Sequence, residues 1–453
     1  MKPFPIILAA GKGTRMRSNL PKVLHSVGGK PMLQHVVDAC KALGADRLAI
    51  IYGHGGEHVQ SALNDEAIQW VEQAEQKGTG HAVAQANTVI EDDDHVVVAY
   101  GDVPLIEAKT LKRLLQTLQQ ADLGVLTTIL DNPTGYGRIV RNDAGKVVRI
   151  VEEKDANEAT RKINEVNTGF IAAKGKDLKR WLANLSDDNA QGEYYLTDCI
   201  EMAANEGQVD AVVCANPLEV TGVNNRIQQA QLERAYQWQQ VEALMIEGAT
   251  LADPARVDIR GEVSVGQDVF IDVNTLFIGQ VELGDNVTIE SGCVITDSQI
   301  AANSRIKANS VLEKARIGEN VDVGPFARIR PEADIRDNAK IGNFVEVKKS
   351  VIGQGSKVSH LSYIGDTIMG SNVNVGAGTI TCNYDGVNKH ITEIGDNVFI
   401  GSTSQLIAPV KVEDNATIGA GSTITKDAPE GELTLARPKQ VTLAGWKRPV
   451  KNK

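Results

Sequence analysis

The chain carries two different rhythms of apolar positions. Up to about residue 220, apolar runs of β type (PIILAA, RLAIIYG, AIQWVEQ, HVVVAYGD, LGVLTTIL, TGFIAA and DAVVCA) alternate with segments of helical spacing such as PMLQHVVDACKAL and AKTLKRLLQTL. Buried strands followed by crossover helices predict a mainly parallel α/β sheet. One stretch breaks the alternation: GRIVRNDAGKVVRIVEE, whose Asp143-Ala144-Gly145 turn predicts a two-stranded hairpin. From Asn224 to about Glu247 there is neither Gly nor Pro, and Ala235, Trp238, Val241 and Met245 recur at spacings of three or four. That predicts one long helix, stopped by Gly248 and then Asp253-Pro254. So much of it is polar that it suits a connector between domains better than a core helix.

Beyond the helix, aliphatic or aromatic residues fall at every sixth position: Ile259, Val265, Ile271, Phe277, Leu283, Ile289 and Ile295, then Ile317, Val323, Ile329, Ile335, Ile341 and Val347. After a break the register resumes at Ile394, Ile400, Leu406, Val412, Ile418 and Ile424. Neither a helix nor an alternating strand gives this period. A hexapeptide repeat does, and it predicts a solenoid of parallel β coils with three six-residue faces per turn. The repeated residue points inward and stacks on its equivalent in the next coil; the low aromatic content, 4%, fits a narrow axis. The segment from Cys382 to His390 does not fit the repeat and should loop out, and insertions from solenoids gather on binding faces.

Composition narrows the picture. A chain of 453 residues has room for about two or three domains with a sizeable core. Its five cysteines lie far apart, with no CxxC and no His at metal-ligand spacing, so neither a disulfide framework nor a zinc site is expected. The N-terminal apolar run is too short for a signal peptide, and no stretch approaches the roughly 20 apolar residues of a membrane span. The expectation is a cytoplasmic protein without a membrane span. A net charge of −11 and a pI near 5.4 argue against nucleic-acid binding and for small ligands. The exception is the tail from Arg437 to Lys453, which is basic and holds no acidic residue.

The chemistry of the first half centres on LAAGKGTRMRSNLPKVLH. A Walker A loop cannot be aligned on it, and it is not a dinucleotide fingerprint, because Met16 stands where the third glycine belongs. The longer string LAAGKGTRMRSNLPKVLHSVGGKPM resembles the signature of sugar-1-phosphate nucleotidyltransferases. A glycine turn after the first strand lets backbone N–H groups approach a nucleotide, and Arg15 and Lys22 are placed to neutralise the α-phosphate and departing pyrophosphate. VVVAYGDVPL adds Asp102 at a strand end, the edge where open α/β sheets bind ligands, as a candidate for Mg²⁺. Asp92, Asp93 and Asp94, the most obvious acidic cluster, are expected to form a solvated turn. Spacing does not separate Asn224 from Asn225 as a second metal ligand.

AEQKGTGHA, TGYGRI, VEEKDA, NTGF and VTGVNNR extend the resemblance to the uridylyl branch. It implies that Leu8, Ala9, Ala10, Gly11, Lys22, Gln73, Gly78, Thr79, Tyr100 and Gly101 serve the uridine nucleotide. It likewise assigns Gly137, Glu152 and Asn167 to the amino-sugar, and Asn224 beside Asp102 to the metal. In the second half, RIRPEA, GNFVEVKKS, SHLSYIGD, NVNVGAGTITCNYDG and GWKRPVK match in order, so that nearly the whole chain resembles a bacterial family of bifunctional uridylyltransferase/acetyltransferases.

The implied fold is a Rossmann-like nucleotidyltransferase domain (1–226), a linker helix (227–248) and a left-handed parallel β-helix of hexapeptide repeats with a basic tail (249–453). The left hand is implied by the resemblance alone, since ordinary parallel crossovers are right-handed. The implied activities are acetyl transfer from acetyl-CoA to glucosamine-1-phosphate, then uridylyl transfer from UTP with Mg²⁺, feeding peptidoglycan and lipopolysaccharide precursors. His360 would be the general base, as suits a near-neutral imidazole. Arg330, Lys348, Tyr363 and Asn374 would bind the sugar phosphate. Ala377, Asn383, Tyr384, Ser402, Ala420 and Arg437 would bind acetyl-CoA, giving the basic tail a purpose. The family also implies a homotrimer. Two competing readings are a single-function nucleotidyltransferase whose coils only oligomerise, and a non-catalytic sugar-nucleotide-binding subunit.

Overall fold

A computed structural model describes residues 2–11, 13–53 and 55–451. The chain divides into two compact units, Met1–Tyr236 and Gln237–Lys453.

The first unit is built on a nine-stranded sheet. Its strands are β1 (Pro3–Ala9), β2 (Leu48–Tyr52), β3 (Ile68–Glu72), β4 (His95–Tyr100), β5 (Leu123–Ile129), β6 (Arg138–Arg141), β7 (Val147–Val151), β8 (Glu165–Lys174) and β9 (Val209–Cys214). The spatial order is β9-β5-β8-β4-β1-β2-β3, with the β6–β7 hairpin paired to β8. Pairings around β1 are parallel, as the alternation predicts; β8, however, runs antiparallel to both β4 and β5. Its ladder with β5 shifts register between Asn167 and Ile171. Apolar clusters on the two faces of the sheet bury, among others, Ile7, Leu33 and Phe170 on one side and Ile6, Val98 and Trp181 on the other.

The aspartate cluster departs from expectation. Asp92 and Asp93 are exposed, but Asp94 is fully buried: both carboxylate oxygens accept from Arg47 Nη2, at 2.9 and 2.7 Å, and one also accepts from the Glu91 N–H at 2.7 Å. A buried carboxylate held by a guanidinium and a backbone donor belongs to the scaffold. The long helix spans Arg226–Ile246.

The second unit is a left-handed parallel β-helix of hexapeptide repeats. Its short strands stack in register from coil to coil, Phe270 on Thr288 on Arg305 for example, and the inward aliphatic column forms one continuous core. The strict six-residue step fails in a regular way. The buried column runs Ile295, Ile300, Ile306, Leu312, Ile317, and later Val347, Ile352, Val358, Ile364, Met369. Each five-residue step encloses one tight left-handed corner: Asp297 (φ 44°), Lys314 (45°), Lys349 (45°) and Asp366 (47°). The gap in the sequence register is therefore a change of phase, with the coil intact. The largest register jump, Asn374 opposite Phe399, occurs where the chain leaves the coil; Cys382 itself stays in the ladder, paired with Ile407, so the insertion begins one residue later than expected, at Asn383.

Candidate functional site

The first site forms at the carboxyl end of β1, where Gly101 N–H donates to the Leu8 carbonyl at 2.9 Å. A cleft of about 270 Å³ is lined by Leu8, Ala9, Ala10, Gly11, Lys22, Gln73, Gly78, Thr79, Tyr100 and Asp102. Gln76, Glu193, Val23 and Ala82 line it too. Gln76 and Ala82 lie within AEQKGTGHA and Val23 within LAAGKGTRMRSNLPKVLH, where the motifs gave them no role, and Glu193 lies outside every motif; Gln76 joins because its Nε2 donates to the Ala10 carbonyl at 2.5 Å, closing the glycine turn from the opposite side. Gln73 is buried and donates to the Gly78 carbonyl at 3.2 Å, which braces the loop carrying Gly78 and Thr79. Gly101 does not line the cleft: a Cβ there would meet Leu33 Cδ1 at 2.9 Å, so its smallness serves packing under the strand end.

At one edge of the cleft, four residues from three separate stretches of chain converge. Lys22 Nζ donates to Asp102 Oδ2 and lies 3.5 Å from Asn224 Oδ1, while Arg15 Nη2 donates to the same Asn224 oxygen at 3.0 Å. The Val223 N–H donates to the Asp102 carbonyl at 2.9 Å, tying the two chain segments together. Asn224 rather than Asn225 joins the cluster; the Asn225 side chain accepts from the Gln228 N–H at the start of the long helix. A carboxylate oxygen and an amide oxygen thus converge on one cationic group, an arrangement that fits a hard divalent cation as well as an ammonium. Among the described residues, the three-carboxylate grouping compact enough to suggest a metal is Glu91, Asp93 and Asp94, whose buried member is already held by Arg47.

The proposed sugar residues gather beside Tyr100. The Asn167 N–H donates to the Gly137 carbonyl at 2.8 Å, and a Cβ on Gly137 would lie 3.2 Å from Glu152 Oε1. Gly169 (φ 90°) leaves room for the Tyr100 ring, and Asn167 Oδ1 accepts from its N–H at 2.9 Å. Desolvation pushes the Glu152 carboxyl above its ordinary range, and burial together with the Asp102 and Glu152 charges pushes the Tyr100 phenol up.

The second site is written in the stacking of the coils. His360 lies opposite Asn343 in the preceding coil, and His360 Nδ1 is 2.7 Å from Asn343 Oδ1. The same ladder continues through Val358 on Val375, Val375 on Ile400 and Ile400 on Ile418, so that His360, Ala377, Ser402 and Ala420 fall on one edge of the solenoid. Arg437 Nη1 closes the row by donating to the Ala420 carbonyl at 2.8 Å. Asn374 is exposed on the same ladder, two positions before Val375's following residue Gly376.

A neighbouring face holds the candidate phosphate group. Arg330 Nη1 donates to Glu346 Oε1 at 2.7 Å, and Lys348 Nζ lies 3.4 Å from Asp366 Oδ2. The Asn383 amide donates to Asp366 Oδ2 and, at 3.4 Å, to the Tyr363 hydroxyl. Sequence reasoning missed Lys389. The mutual influence of the two amines, and then the Asp366 charge, make Lys348 hold its proton more tightly than an ordinary lysine, while Lys389 holds its own less tightly. The only sequence signal for it was its place in the loop that breaks the repeat.

That loop has its own brace. Asp385 accepts from the Val387 and Asn388 N–H groups and meets His390 Nε2 at 2.7 Å; the His390 hydrogen bond, then the two backbone donors, hold its carboxyl well below the usual range. Tyr384 is 60% exposed, so this brace presents it outward.

Residues 5–161 match the MobA-like NTP transferase domain family, and residues 262–297 and 391–426 match the bacterial transferase hexapeptide (six repeats) family. Over 447 residues, 98% of this chain and 98% of the relative, the sequence is 58% identical to the bifunctional protein GlmU of Marinobacter nauticus (strain ATCC 700491 / DSM 11845 / VT8). A crystal structure of UDP-glucose pyrophosphorylase complexed with UDP-glucose aligns with 53% of this chain and 100% of that one, at 17% identity and a TM-score of 0.44. Among the described residues no helix is long and apolar enough to cross a membrane.

Proposed function

The chain belongs to the family of the bifunctional protein GlmU, and from that premise we propose how its two units divide the work. It is an enzyme with nucleotidyltransferase and hexapeptide acetyltransferase domains. The second unit moves the acetyl group of acetyl-CoA onto the amino group of glucosamine-1-phosphate. The first then joins N-acetylglucosamine-1-phosphate to UTP and releases pyrophosphate.

In acetyl transfer, His360 is the general base. With Asn343 Oδ1 accepting from Nδ1–H, the imidazole lone pair sits on Nε2, free to take a proton from the attacking amine. The new N–C bond forms as the C–S bond breaks, and the proton gained by His360 is returned to the departing thiolate. Arg330, Lys348, Tyr363 and Asn374 hold the sugar phosphate, with Lys389 as a further contact beside Lys348. Asn383, Tyr384 and the row Ala377, Ser402, Ala420 and Arg437 hold acetyl-CoA.

In uridylyl transfer, a phosphate oxygen of the sugar attacks the α-phosphorus of UTP and the bond to the leaving pyrophosphate breaks. The protein need only align the reactants and screen charge. Leu8 to Gly11 and Gly78-Thr79 cradle the nucleotide, Gly137, Glu152 and Asn167 hold the sugar, and Arg15 and Lys22 face the phosphates. Asp102 and Asn224 are the residues that would hold Mg²⁺. When bound, the ion supplies charge neutralisation at the reacting phosphates.

The observation that carries this reading is the convergence of Arg15, Lys22, Asp102 and Asn224 at the edge of one cleft. We further propose a cytoplasmic homotrimer. Exposed Phe326, Phe344 and Leu361 at successive left-handed corners support an interface between coils, and the first two rings stack at 5.4 Å. The test is a mixed assay with glucosamine-1-phosphate, acetyl-CoA, UTP and Mg²⁺, following free thiol and pyrophosphate together. His360→Ala should abolish thiol release and leave pyrophosphate release from preformed N-acetylglucosamine-1-phosphate intact; Asp102→Ala should do the reverse. Loss of both activities in either variant would refute the division. Light scattering checks the trimer.

A further inference from the structure

We propose that Asp366 is a positioning residue for acetyl transfer: its carboxylate orients the Asn383 amide and holds the Lys348 ammonium, joining the acetyl-CoA and sugar-phosphate subsites. The proposal rests on the assignment of those two subsites above. It begins with a comparison of equivalent corners. Asp297, Lys314 and Lys349 occupy the same tight left-handed position as Asp366, and all three are exposed. Asp366 alone among these four is buried, 8% exposed, although it carries a charge. A corner needs a residue tolerant of positive φ, which Asp is, but nothing in corner geometry calls for a buried carboxylate.

The burial comes from the loop that interrupts the repeat. Asn383, at the start of the loop and itself 7% exposed, lies over Asp366 and donates its amide to Oδ2. After the loop, the Thr392 N–H donates to the Asp366 carbonyl at 3.1 Å, while the Asp366 N–H donates to the Lys348 carbonyl at 3.0 Å. One residue therefore fixes both ends of the loop and the strand that carries Lys348. A buried carboxylate is tolerable only with such partners.

The consequence for the reaction lies in the amide. An ionised carboxylate is acceptor-only, so the side of Asn383 that faces Asp366 must be its NH₂ group. The Tyr363 hydroxyl at 3.4 Å lies on the same side. Among the described residues Asn383 Oδ1 has no protein donor, which leaves it as the acceptor offered to a ligand. Reversing the amide would set its oxygen against the carboxylate. Asp366 also meets Lys348 through the same oxygen, so that its negative charge keeps an ammonium in place beside Lys389.

The test is a mutant cycle on the full-length enzyme, with acetyl-CoA affinity read by calorimetry and KM separated from kcat for acetyl transfer. Asp366→Asn should raise the KM for acetyl-CoA by about tenfold, as expected for loss of a charge-assisted contact, with a smaller change in kcat. In an Asn383→Ala background the same change should cost less than about twofold, because the residue acts through that amide. Equal costs in both backgrounds, or an unchanged KM, would overturn the proposal. If Asp366→Asn does not fold, the exchange Asp366→Asn with Asn383→Asp carries the test. It should bind acetyl-CoA more tightly than Asn383→Asp alone, which sets two carboxylates face to face, and an exchange no better than the single change refutes the idea. Full acetyl transfer by His360→Ala would instead mark failure of the underlying site assignment.

Discussion

Gly78 offers a stringent test of the nucleotide cleft. Its backbone sits at φ 109° and ψ 174°, a region that essentially only glycine occupies. A Cβ there would meet the Tyr194 carbonyl oxygen at 2.6 Å, its nitrogen at 2.9 Å and Glu193 Cβ at 3.0 Å, so the obstruction is largely backbone. The Gly80 N–H donates to that same carbonyl at 2.8 Å, so the two segments are already pinned together. For Gly78→Ala the conformational cost is about 1–3 kcal/mol, and overpacking against fixed backbone adds roughly 1–3 kcal/mol. If the loop stays in place, the cost appears as stability, a fall of at least about 4 °C in the thermal midpoint of the first unit. If the loop gives way, it appears in catalysis, at about tenfold in kcat/KM for each 1.4 kcal/mol. Acetyl transfer should be unchanged. Gly44→Ala is the control: Gly44 also has positive φ (80°), but its Cβ would meet nothing within 4 Å, and uridylyl transfer should be untouched. Uridylyl transfer by Gly78→Ala within twofold of wild type, with no thermal shift, would show that the drawn approach of Gly78 to Tyr194 is wrong.

Glu152 gives a pH prediction with a definite sign. Its folded carboxyl holds its proton more tightly than the ordinary value of 4.5, mainly through desolvation. Its contribution to stability is therefore fully present below that value and is lost as pH rises through the raised one. Glu152→Gln should make the first unit more stable than wild type at neutral pH, converging with it in acid, while uridylyl transfer falls; urea unfolding at both pH values checks this, and a less stable variant at neutral pH refutes it. Ile289, fully buried in the column between Ile271 and Ile306, should cost about 2–5 kcal/mol when changed to Ala, read as a lower urea midpoint for the second unit without loss of acetyl transfer at 25 °C. Removal of residues 437–453 takes away Arg437 and the basic tail and should weaken acetyl-CoA binding while sparing uridylyl transfer; calorimetry that finds equal affinity would rule out a role for the tail.

What could be read without coordinates was whatever repeats or travels as a contiguous string. The strands of the first unit, the hairpin turn at Gly145 and the inward column from Ile259 to Ile424 follow from local periodicity. The glycine turn followed by Arg15 and Lys22 is a single stretch of chain. The antiparallel course of β8 was not legible, because an apolar run such as TGFIAA carries no mark of direction. Nor was the burial of Asp94: three consecutive aspartates look solvated until Arg47, brought from the end of another connection, supplies the counter-charge. The convergence of Asn224 on Lys22 and Asp102 likewise depends on closure across some 200 residues of chain, which spacing cannot encode.

The solenoid shows why its site was nonetheless partly visible. In a coil, residues separated by one full turn become spatial neighbours, so sequence distance converts into contact at a nearly fixed rate. His360 falls on Asn343, and Ile400 on Val375 once the excised loop is allowed for. That conversion fails at the five-residue corners and at the loop, where the chain changes phase. Asp366 and Asn383 lie at those two kinds of interruption. Periodicity therefore located the coil that carries the candidate second site, while the contact of Asp366 with Asn383 arises where the periodicity stops. A carboxylate placed at any uninterrupted corner would face solvent like Asp297; only a corner covered by an insertion can turn it inward onto an ammonium and an amide.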